Sequence, residues 1–215
     1  MTAAGSGIYL VTDAGQCGRR GVVATVGAAI DGGVRTIQVR NKSAGGRELF
    51  DEVTAVADAA GDRAFVLVDD RVDVYLAARA AGAAVHGVHV GQDDLPVELV
   101  REIVGPQAVV GLTANSDAHA AAALRMPPGT VDYLGVGAIR ATSTKPDHPT
   151  PLGVAGFARF AATASLPCVA IGGIGRADVP ALKQAGAAGV AVVSAICAST
   201  DPERAARDLV TGWAS

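Results

Sequence analysis

The residues best suited to chemistry begin with a cationic cluster, Gln38, Arg40 and Lys42. They alternate along the chain, so an extended backbone places all three side chains on one side. Two cations beside an amide, which both donates and accepts hydrogen bonds, suit a polyanion attached to a polar ring. A pair of solvated loop charges is the alternative interpretation of these residues.

Carboxylates follow the next two apolar runs, as Asp69-Asp70 and Asp93-Asp94. Acids at the ends of adjacent parallel strands can converge on one cation. Mg²⁺ takes one or two protein carboxylates, while water and phosphate oxygens complete its shell. The alternative is that Asp93 or Asp94 caps the helix that comes next. Two acidic pairs at adjacent strand ends favour a metal site.

Hydroxyl groups and a lysine follow a later apolar run, in Thr142-Ser143-Thr144-Lys145. Three hydroxyls and an ammonium in succession can wrap a phosphate or a pyrophosphate, although a plain Thr/Ser-rich loop is the alternative. The loop continues to Pro151 and contains three prolines, so it is long for a turn between a strand and a helix. That length predicts a lid over bound ligands, spanning 142–151.

Short runs rich in valine and isoleucine separate these clusters and predict the elements that position them. The runs are nearly continuous in hydrophobicity, which is typical of strands buried on both faces. Segments between them have helical spacing: 47–60 predicts a helix with one buried face, and the last helix is expected to start with an Asp201 N-cap and Pro202. The predicted strands are 8–12, 36–39, 64–68, 88–90, 109–112, 133–136, 168–171 and 190–193.

Eight strand-then-helix units in 215 residues predict an α/β fold, a single (β/α)8 TIM barrel that occupies 1–215 as one catalytic domain. An open doubly wound sheet is the alternative, but it predicts a G-x-G-x-x-G turn after the first strand, where 14–18 reads A-G-Q-C-G. Polar clusters end nearly every predicted strand, as a barrel mouth requires. Glycines in 31–34, 81–84 and 185–188 are expected to end helices in the left-handed conformation.

Small residues follow the last two predicted strands, at Gly172-Gly173 and Val193-Ser194. In a barrel, backbone N–H groups after strands seven and eight often bind phosphate, whereas two ordinary tight turns are the alternative. The histidines are interpreted as structural. His89 alternates within its strand, so its imidazole is expected either in the barrel interior or hydrogen-bonded to a loop, and the others have no partner at zinc-binding spacing. The mouth is expected to hold two anion pockets and a metal, with no evident general base.

Composition and charge exclude several classes of protein. Half of the residues are apolar and 18% are charged, so the chain is not intrinsically disordered. A net charge of −3 argues against a nucleic-acid partner or an anionic membrane surface. Three cysteines without C-x-x-C spacing, no signal peptide and no stretch apolar enough to span a bilayer predict a soluble cytoplasmic protein.

Five motifs in this order resemble the thiamine phosphate synthase family over essentially the whole chain. Each motif is short, but their shared order on a barrel of this length is specific. They are Q-x-R-x-K at 38–42, G-Q-x-D at 91–94, T-x-T-K at 142–145, I-G-G-I at 171–174 and V-S-A-I at 193–196.

The resemblance implies a transferase of thiamine biosynthesis with two small-molecule substrates. It would join hydroxymethylpyrimidine pyrophosphate to thiazole phosphate and release pyrophosphate, with Mg²⁺ as cofactor. The implied metal ligands are Asp70 and Asp94, and the implied catalytic residues are Arg40, Lys42, Lys145 and Thr113. The implied substrate-binding residues are Gln38, Arg40, Lys42, Asp69, Thr113, Thr142, Thr144, Lys145, Gly173, Val193 and Ser194.

The sequence departs from the family pattern at a few positions. Asp69 stands where the family has asparagine, and it adds a negative charge that would face the pyrophosphate. Thr113 replaces the usual serine and keeps a hydroxyl group. Asn41 stands where relatives often have an acid, and Ala141 where they have proline.

Two other functions fit parts of the sequence. The thiazole tautomerase branch of the same fold needs proton-transfer groups and tends to carry histidine soon after strand five, where Asn115 stands here. A non-catalytic barrel that binds a phosphorylated ligand is suggested by Asp69. The retention of 91–94 and of Lys145 favours the synthase.

Overall fold

The predicted strands pair side by side and close into a barrel. The computed structural model describes residues 5–142 and 150–215. Its strands are β1 (Gly7–Val11), β2 (Thr36–Val39), β3 (Phe65–Asp69), β4 (Gly87–Val90), β5 (Val109–Ala114), β6 (Tyr133–Val136), β7 (Cys168–Ile171) and β8 (Gly189–Val192). Neighbours are parallel throughout, and β1 pairs with both β2 and β8. The (β/α)8 barrel is therefore confirmed, the open sheet is excluded, and every strand lies within two residues of its predicted bounds.

Helices follow the strands and cover the outside of the barrel. They are α1 (Ala14–Cys17), α2 (Val22–Asp31), α3 (Gly46–Ala60), α4 (Val72–Ala80), α5 (Val97–Val104), α6 (Asp117–Arg125), α7 (Gly153–Thr163), α8 (Val179–Gln184), α9 (Ser194–Cys197) and α10 (Pro202–Ala214). Short 3-10 helices occupy Gly18–Arg20, Gly61–Arg63 and Arg176–Asp178. Across the described residues, none of these helices is long and apolar enough to cross a membrane.

Local sequence explains how the helices begin and end. α3 buries the apolar face that its spacing predicts, formed by Leu49, Val53, Val56 and Ala60. Asp201 caps α10, because its side chain accepts a hydrogen bond from the Arg204 backbone N–H at 3.0 Å. The helix exits have left-handed glycines as expected, with φ of 103° at Gly33, 85° at Gly82 and 90° at Gly186.

Two apolar regions fill the molecule on either side of the strands. Strand residues alternate between them, so that β1 directs Tyr9 into the barrel and Leu10 toward the helices. The larger region lies between the barrel and its helices and contains most of the buried side chains. The interior cluster is smaller and consists of Tyr9, Val11, Leu67, Val109, Tyr133, Val169 and Ala191.

Gly87 marks a close approach of two backbones at the start of β4. A Cβ atom added at Gly87 would lie 1.9 Å from the carbonyl oxygen of Val109 in β5. Both residues belong to the ladder that joins β4 to β5, so neither backbone can move aside without breaking the barrel. Glycine is therefore required here by the approach of the strands.

Gly87→Ala should lower the free energy of unfolding by about 1–3 kcal/mol, because the added methyl overpacks a fixed ladder. Gly27→Ala is the matched control: Gly27 lies in α2, and nothing is within 4 Å of its added Cβ. The control should be neutral or stabilising by about 0.5–1 kcal/mol, since alanine favours a helix over glycine. Urea unfolding followed by circular dichroism measures both, and equal unfolding midpoints would contradict this packing.

Candidate active site

Gln38, Arg40 and Lys42 run from the barrel interior to its mouth, and Arg40 and Lys42 lie at the mouth as predicted. Gln38, in β2, is buried inside the barrel, and the chain then rises to the rim. The Arg40 side chain is 20% exposed and the Lys42 side chain is 56% exposed. The exposure of the three side chains thus increases along the chain, from Gln38 in the buried interior to Lys42 at the solvent.

A chain of hydrogen bonds crosses the barrel interior beneath this mouth. The Gln38 Nε2 donates to Tyr9 Oη at 2.8 Å, and the Tyr9 and Tyr133 hydroxyls lie 2.9 Å apart. His89 bridges onward, with its Nδ1 3.0 Å from Tyr133 Oη and its Nε2 3.0 Å from Thr113 Oγ1. Burial raises the pKa of Tyr9 and of Tyr133, so both phenols stay protonated at neutral pH. The chain therefore links the Gln38 amide to the Thr113 hydroxyl.

Sequence reasoning missed Tyr9 and Tyr133. Of the two places that it left open for His89, the structure shows the barrel interior. The available signal was alternation: each tyrosine precedes an outward leucine in its strand. A buried phenol needs a hydrogen-bond partner, so two inward tyrosines and an inward histidine indicate a shared polar network.

Opposite charges meet on one side of the mouth, where β2 and β3 end. Arg40 Nε lies 3.6 Å from Asp69 Oδ2, and Lys42 Nζ lies 3.7 Å from the same oxygen. Lys42 also pairs closely with Asp70. Arg40 Nη1 lies 3.8 Å from Asp13 Oδ2 after β1, a partner that sequence reasoning did not identify. The structure therefore joins the predicted cationic and acidic clusters into one.

Asp69 is the most buried of these carboxylates, since only 10% of its side chain is exposed. Burial raises the pKa of Asp69 to about 6, the two cations Lys42 and Arg40 oppose the rise, and the negative charge of Asp94 adds to it. The acids that follow β3 and β4 are thus close enough to repel one another.

Backbone hydrogen bonds hold the positions of Asp70 and Asp94. Asp70 has a left-handed φ of 56°, and its N–H donates to the His89 carbonyl oxygen at 2.8 Å. Aspartate adopts this conformation more readily than most residues with a side chain. Asp94 Oδ2 accepts from the Gly91 N–H at 2.7 Å. The alternative that Asp93 or Asp94 caps α5 is wrong, because Pro96 is the residue at that cap.

The donor set suits Mg²⁺. Asp70 and Asp94 follow neighbouring strands, and the negative charge of Asp94 also acts on Asp69, so a cation at this part of the mouth would relieve repulsion among the acids. Within residues 5–142 and 150–215, no three His, Cys, Asp or Glu side chains converge as a metal-binding group. Mg²⁺ does not need three, since substrate phosphate and water complete its shell, whereas zinc takes three or four protein ligands.

Small residues define the other side of the mouth. Gly173 has a φ of 65°, and a Cβ there would lie 2.6 Å from the Ala141 carbonyl oxygen, so the loops after β6 and β7 are in contact. Thr142 follows directly in the chain, and the next strand end supplies Val193 and Ser194. Thr144, which is also predicted for this pocket, lies outside the described residues. So do Lys145, which is predicted for the pyrophosphate, and most of the predicted lid.

Comparisons with known proteins agree over nearly the whole chain. The family model for thiamine monophosphate synthase matches residues 8–196. The chain is 45% identical to a thiamine-phosphate synthase of Corynebacterium efficiens, over 95% of this chain and 94% of that protein. It is 42% identical to the one of Azorhizobium caulinodans, over 95% and 93% of the two chains.

Solved structures give the same result. A thiamine phosphate pyrophosphorylase from Pyrococcus furiosus matches with a TM-score of 0.86 at 28% identity, covering 100% of this chain and 98% of that one. A 3-hexulose-6-phosphate synthase matches with a TM-score of 0.70 at 19% identity, covering 96% of this chain and 99% of that one. At that identity the second match shows the shared barrel fold alone.

Asp69→Asn should stabilise the metal-free protein at alkaline pH. A carboxyl group whose pKa rises from 3.8 to about 6 on folding contributes its full stability below the unfolded pKa, and that contribution is lost as pH rises through the folded pKa. The asparagine of the variant cannot ionise, so the variant does not lose this stability as the pH rises. Its free energy of unfolding relative to the parent should therefore rise by on the order of 3 kcal/mol between about pH 4 and about pH 8.

The measurement is urea unfolding in the presence of EDTA at several pH values. Asp93→Asn is the matched control, because it removes an exposed carboxylate from the adjacent loop. A difference between Asp69→Asn and the parent that stays constant with pH would show that burial does not raise the pKa of this carboxyl group.

Proposed function

Since the chain belongs to the thiamine monophosphate synthase family, we propose that the residues at its barrel mouth perform the condensation of that family, with 1–215 acting as one catalytic domain. The enzyme is a transferase of thiamine biosynthesis: it joins hydroxymethylpyrimidine pyrophosphate to thiazole phosphate and releases pyrophosphate. The assignment of roles to residues rests on one observation above others, the pairing of Arg40 and Lys42 with Asp69 and Asp70.

Arg40, Lys42 and Lys145 neutralise the pyrophosphate in this proposal. Arg40 has carboxylates on both sides, Asp13 and Asp69, which hold its guanidinium at the rim. Lys42 is more than half exposed and pairs with Asp70, so its ammonium can exchange that carboxylate for a phosphate oxygen. Positive charge positioned where the leaving group develops negative charge stabilises the transition state directly.

The two ring systems would occupy the middle of the mouth. Gln38 binds the pyrimidine, and its amide is already oriented by the hydrogen bond to Tyr9. Thr113, whose hydroxyl lies 3.0 Å from His89 Nε2, contacts the same substrate from β5. The thiazole phosphate binds on the other side, to a set of hydroxyls and backbone N–H groups: Thr142, Thr144, Gly173, Val193 and Ser194.

The chemistry needs no general base. The bond between the pyrimidine methylene carbon and the pyrophosphate oxygen breaks, the aminopyrimidine carries the positive charge, and the thiazole nitrogen attacks that carbon. No proton has to move, which agrees with a mouth built from cations, carboxylates and hydroxyls. When bound, Mg²⁺ supplies further charge neutralisation on the pyrophosphate, with Asp70 and Asp94 as its protein ligands.

Asp69 takes part in pyrophosphate binding through its neighbours. Its carboxylate touches both Arg40 and Lys42, so it sets where their positive charges lie rather than meeting the anion alone. Its position beside Asp70 also places a further oxygen donor near the proposed metal ligands. Arg40 and Lys42 thereby neutralise the negative charge that Asp69 carries and that asparagine would not.

The tautomerase alternative has little to support it. The histidine that follows β5, His119, already uses its Nδ1 to accept the Asn115 backbone N–H at 3.3 Å. That bond fastens the imidazole to its own helix-start loop.

The proposed reaction predicts that the purified protein, both substrates and Mg²⁺ together yield equal amounts of thiamine phosphate and pyrophosphate. Omission of thiazole phosphate is the control, because hydrolysis of the pyrimidine substrate alone would also release pyrophosphate. Isomerised thiazole without pyrophosphate would indicate the tautomerase, and binding without turnover would indicate a non-catalytic barrel. Either outcome would overturn the proposed function.

Asp94→Asn should raise the Mg²⁺ concentration needed for half-maximal turnover at least about ten-fold, because it removes a charged metal ligand. The amide oxygen can still accept the Gly91 N–H, so the loop should keep its shape. Asp93→Asn is the matched control one residue away and should leave the Mg²⁺ titration unchanged. Identical titrations of turnover for Asp94→Asn and the parent would remove Asp94 from the metal site.

A further inference from the structure

Arg140 and Asp178 join the loops that follow β6 and β7. The Arg140 Nε and Nη2 both donate to Asp178 Oδ1, at 2.9 and 2.5 Å. Asp178 lies at the end of the 3-10 helix Arg176–Asp178, and its side chain is only 11% exposed. The Arg140 side chain is 57% exposed, so it reaches from the surface onto a largely buried carboxylate.

The second oxygen of Asp178 holds its own loop. Asp178 Oδ2 accepts from the Gly175 N–H at 3.0 Å, and the Asp178 N–H donates back to the Gly175 carbonyl oxygen at 3.0 Å. The hydrogen bonds from Arg140 lower the pKa of Asp178, so the carboxylate stays ionised at neutral pH. One side chain thus fixes the turn after β7 with one oxygen and the loop after β6 with the other.

Backbone hydrogen bonds also join the two loops, next to the ion pair between Arg140 and Asp178. The Ile139 N–H donates to the Ile171 carbonyl oxygen at 3.0 Å, and the Arg140 N–H donates to that of Gly172 at 2.9 Å. A Cβ on Gly173 would lie 3.0 Å from the Arg140 Cβ. The relative position of the two loops is therefore set by residues 139–141, directly before Thr142, and by residues 171–173.

An ion pair with an exposed partner, such as Arg140, usually contributes little to folding stability, because solvent screens it and the side chains lose freedom. The place of this pair gives it a different role. It connects the two loops whose hydroxyl and backbone groups take the thiazole phosphate under the proposed function, and it lies on the other side of the mouth from Arg40 and Lys42.

We propose that Arg140 and Asp178 are positioning residues that hold these two loops in register, so that Thr142 and the Gly173 backbone face one phosphate group. The inference rests on the proposed function and concerns only the thiazole half of the site. Loss of the pair should weaken binding of thiazole phosphate selectively, because the pyrimidine pyrophosphate has its own cations at the ends of β2 and β3.

The test measures KM for each substrate and kcat in Arg140→Gln, Asp178→Asn and the double variant. Asp178→Asn keeps an oxygen that can accept the Gly175 N–H while removing the charge. Each single variant should raise KM for thiazole phosphate about ten-fold, the size of effect expected from the lower end of the range for one charge-assisted hydrogen bond. KM for the pyrimidine substrate and kcat should change less than about two-fold, and Arg140→Lys should restore part of the loss.

The double variant distinguishes positioning from direct contact with substrate. If the pair acts as a unit, the double variant should be no worse than either single variant. If Arg140 itself binds the phosphate, Asp178→Asn should leave KM for thiazole phosphate unchanged or lower it, since the guanidinium is then released; that result would overturn the inference. KM values unchanged in both single variants would also overturn it.

Asp132→Asn is the matched structural control. It breaks another part-buried ion pair, Arg101 with Asp132 at 2.7 Å, which lies at the amino end of β6 and therefore at the opposite end of the barrel. This variant should lower the free energy of unfolding without a selective rise in KM for thiazole phosphate. An inactive parent enzyme would refute the proposed function, whereas an active parent with unaffected variants would refute only this inference.

Discussion

The closure of the sheet between β1 and β8 is the constraint on which the site depends. Gly7 in β1 pairs with Gly189 in β8, and a Cβ on Gly189 would lie 2.0 Å from the Gly5 carbonyl oxygen. Small residues are therefore needed where the first and last strands of the sheet meet. Because all neighbours are parallel, closure brings the carboxyl ends of all eight strands to one mouth. An open sheet would leave the groups after β2 and those after β8 on distant edges.

The mouth lies above a buried interior that contains both polar and apolar side chains. Gln38, Tyr9, Tyr133 and His89 are linked through their side chains, and an unpartnered polar group in such a place would cost on the order of 1–3 kcal/mol. Because each member fixes the next, the network holds the Gln38 amide in one orientation. Rigidity below the mouth is what allows the loops above it to carry function.

The rim is organised by charge in a different way. Arg40 and Lys42 are partly exposed and face carboxylates rather than each other, so the free enzyme avoids a concentration of bare positive charge. The carboxylates that flank Arg40 lie 3.6–3.8 Å from its guanidinium, whereas Lys42 pairs closely with Asp70. On the other side of the mouth, close backbone packing around Gly173 and the ion pair between Arg140 and Asp178 hold the loops after β6 and β7 together.

The sequence by itself determined the barrel and the inventory of its mouth. Continuous apolar runs located the strands, alternation put Gln38, Arg40 and Lys42 on one side of the chain, and the Asp201 cap started α10. Each of these depends on residues a few positions apart. Tertiary structure decided which groups are partners. Tyr9 and Tyr133 are separated by 124 positions and Arg140 and Asp178 by 38, and such contacts exist only after the barrel closes. Whether Asp94 caps a helix or folds back onto its own loop was likewise decided by the path of the backbone, which residue type and spacing do not specify.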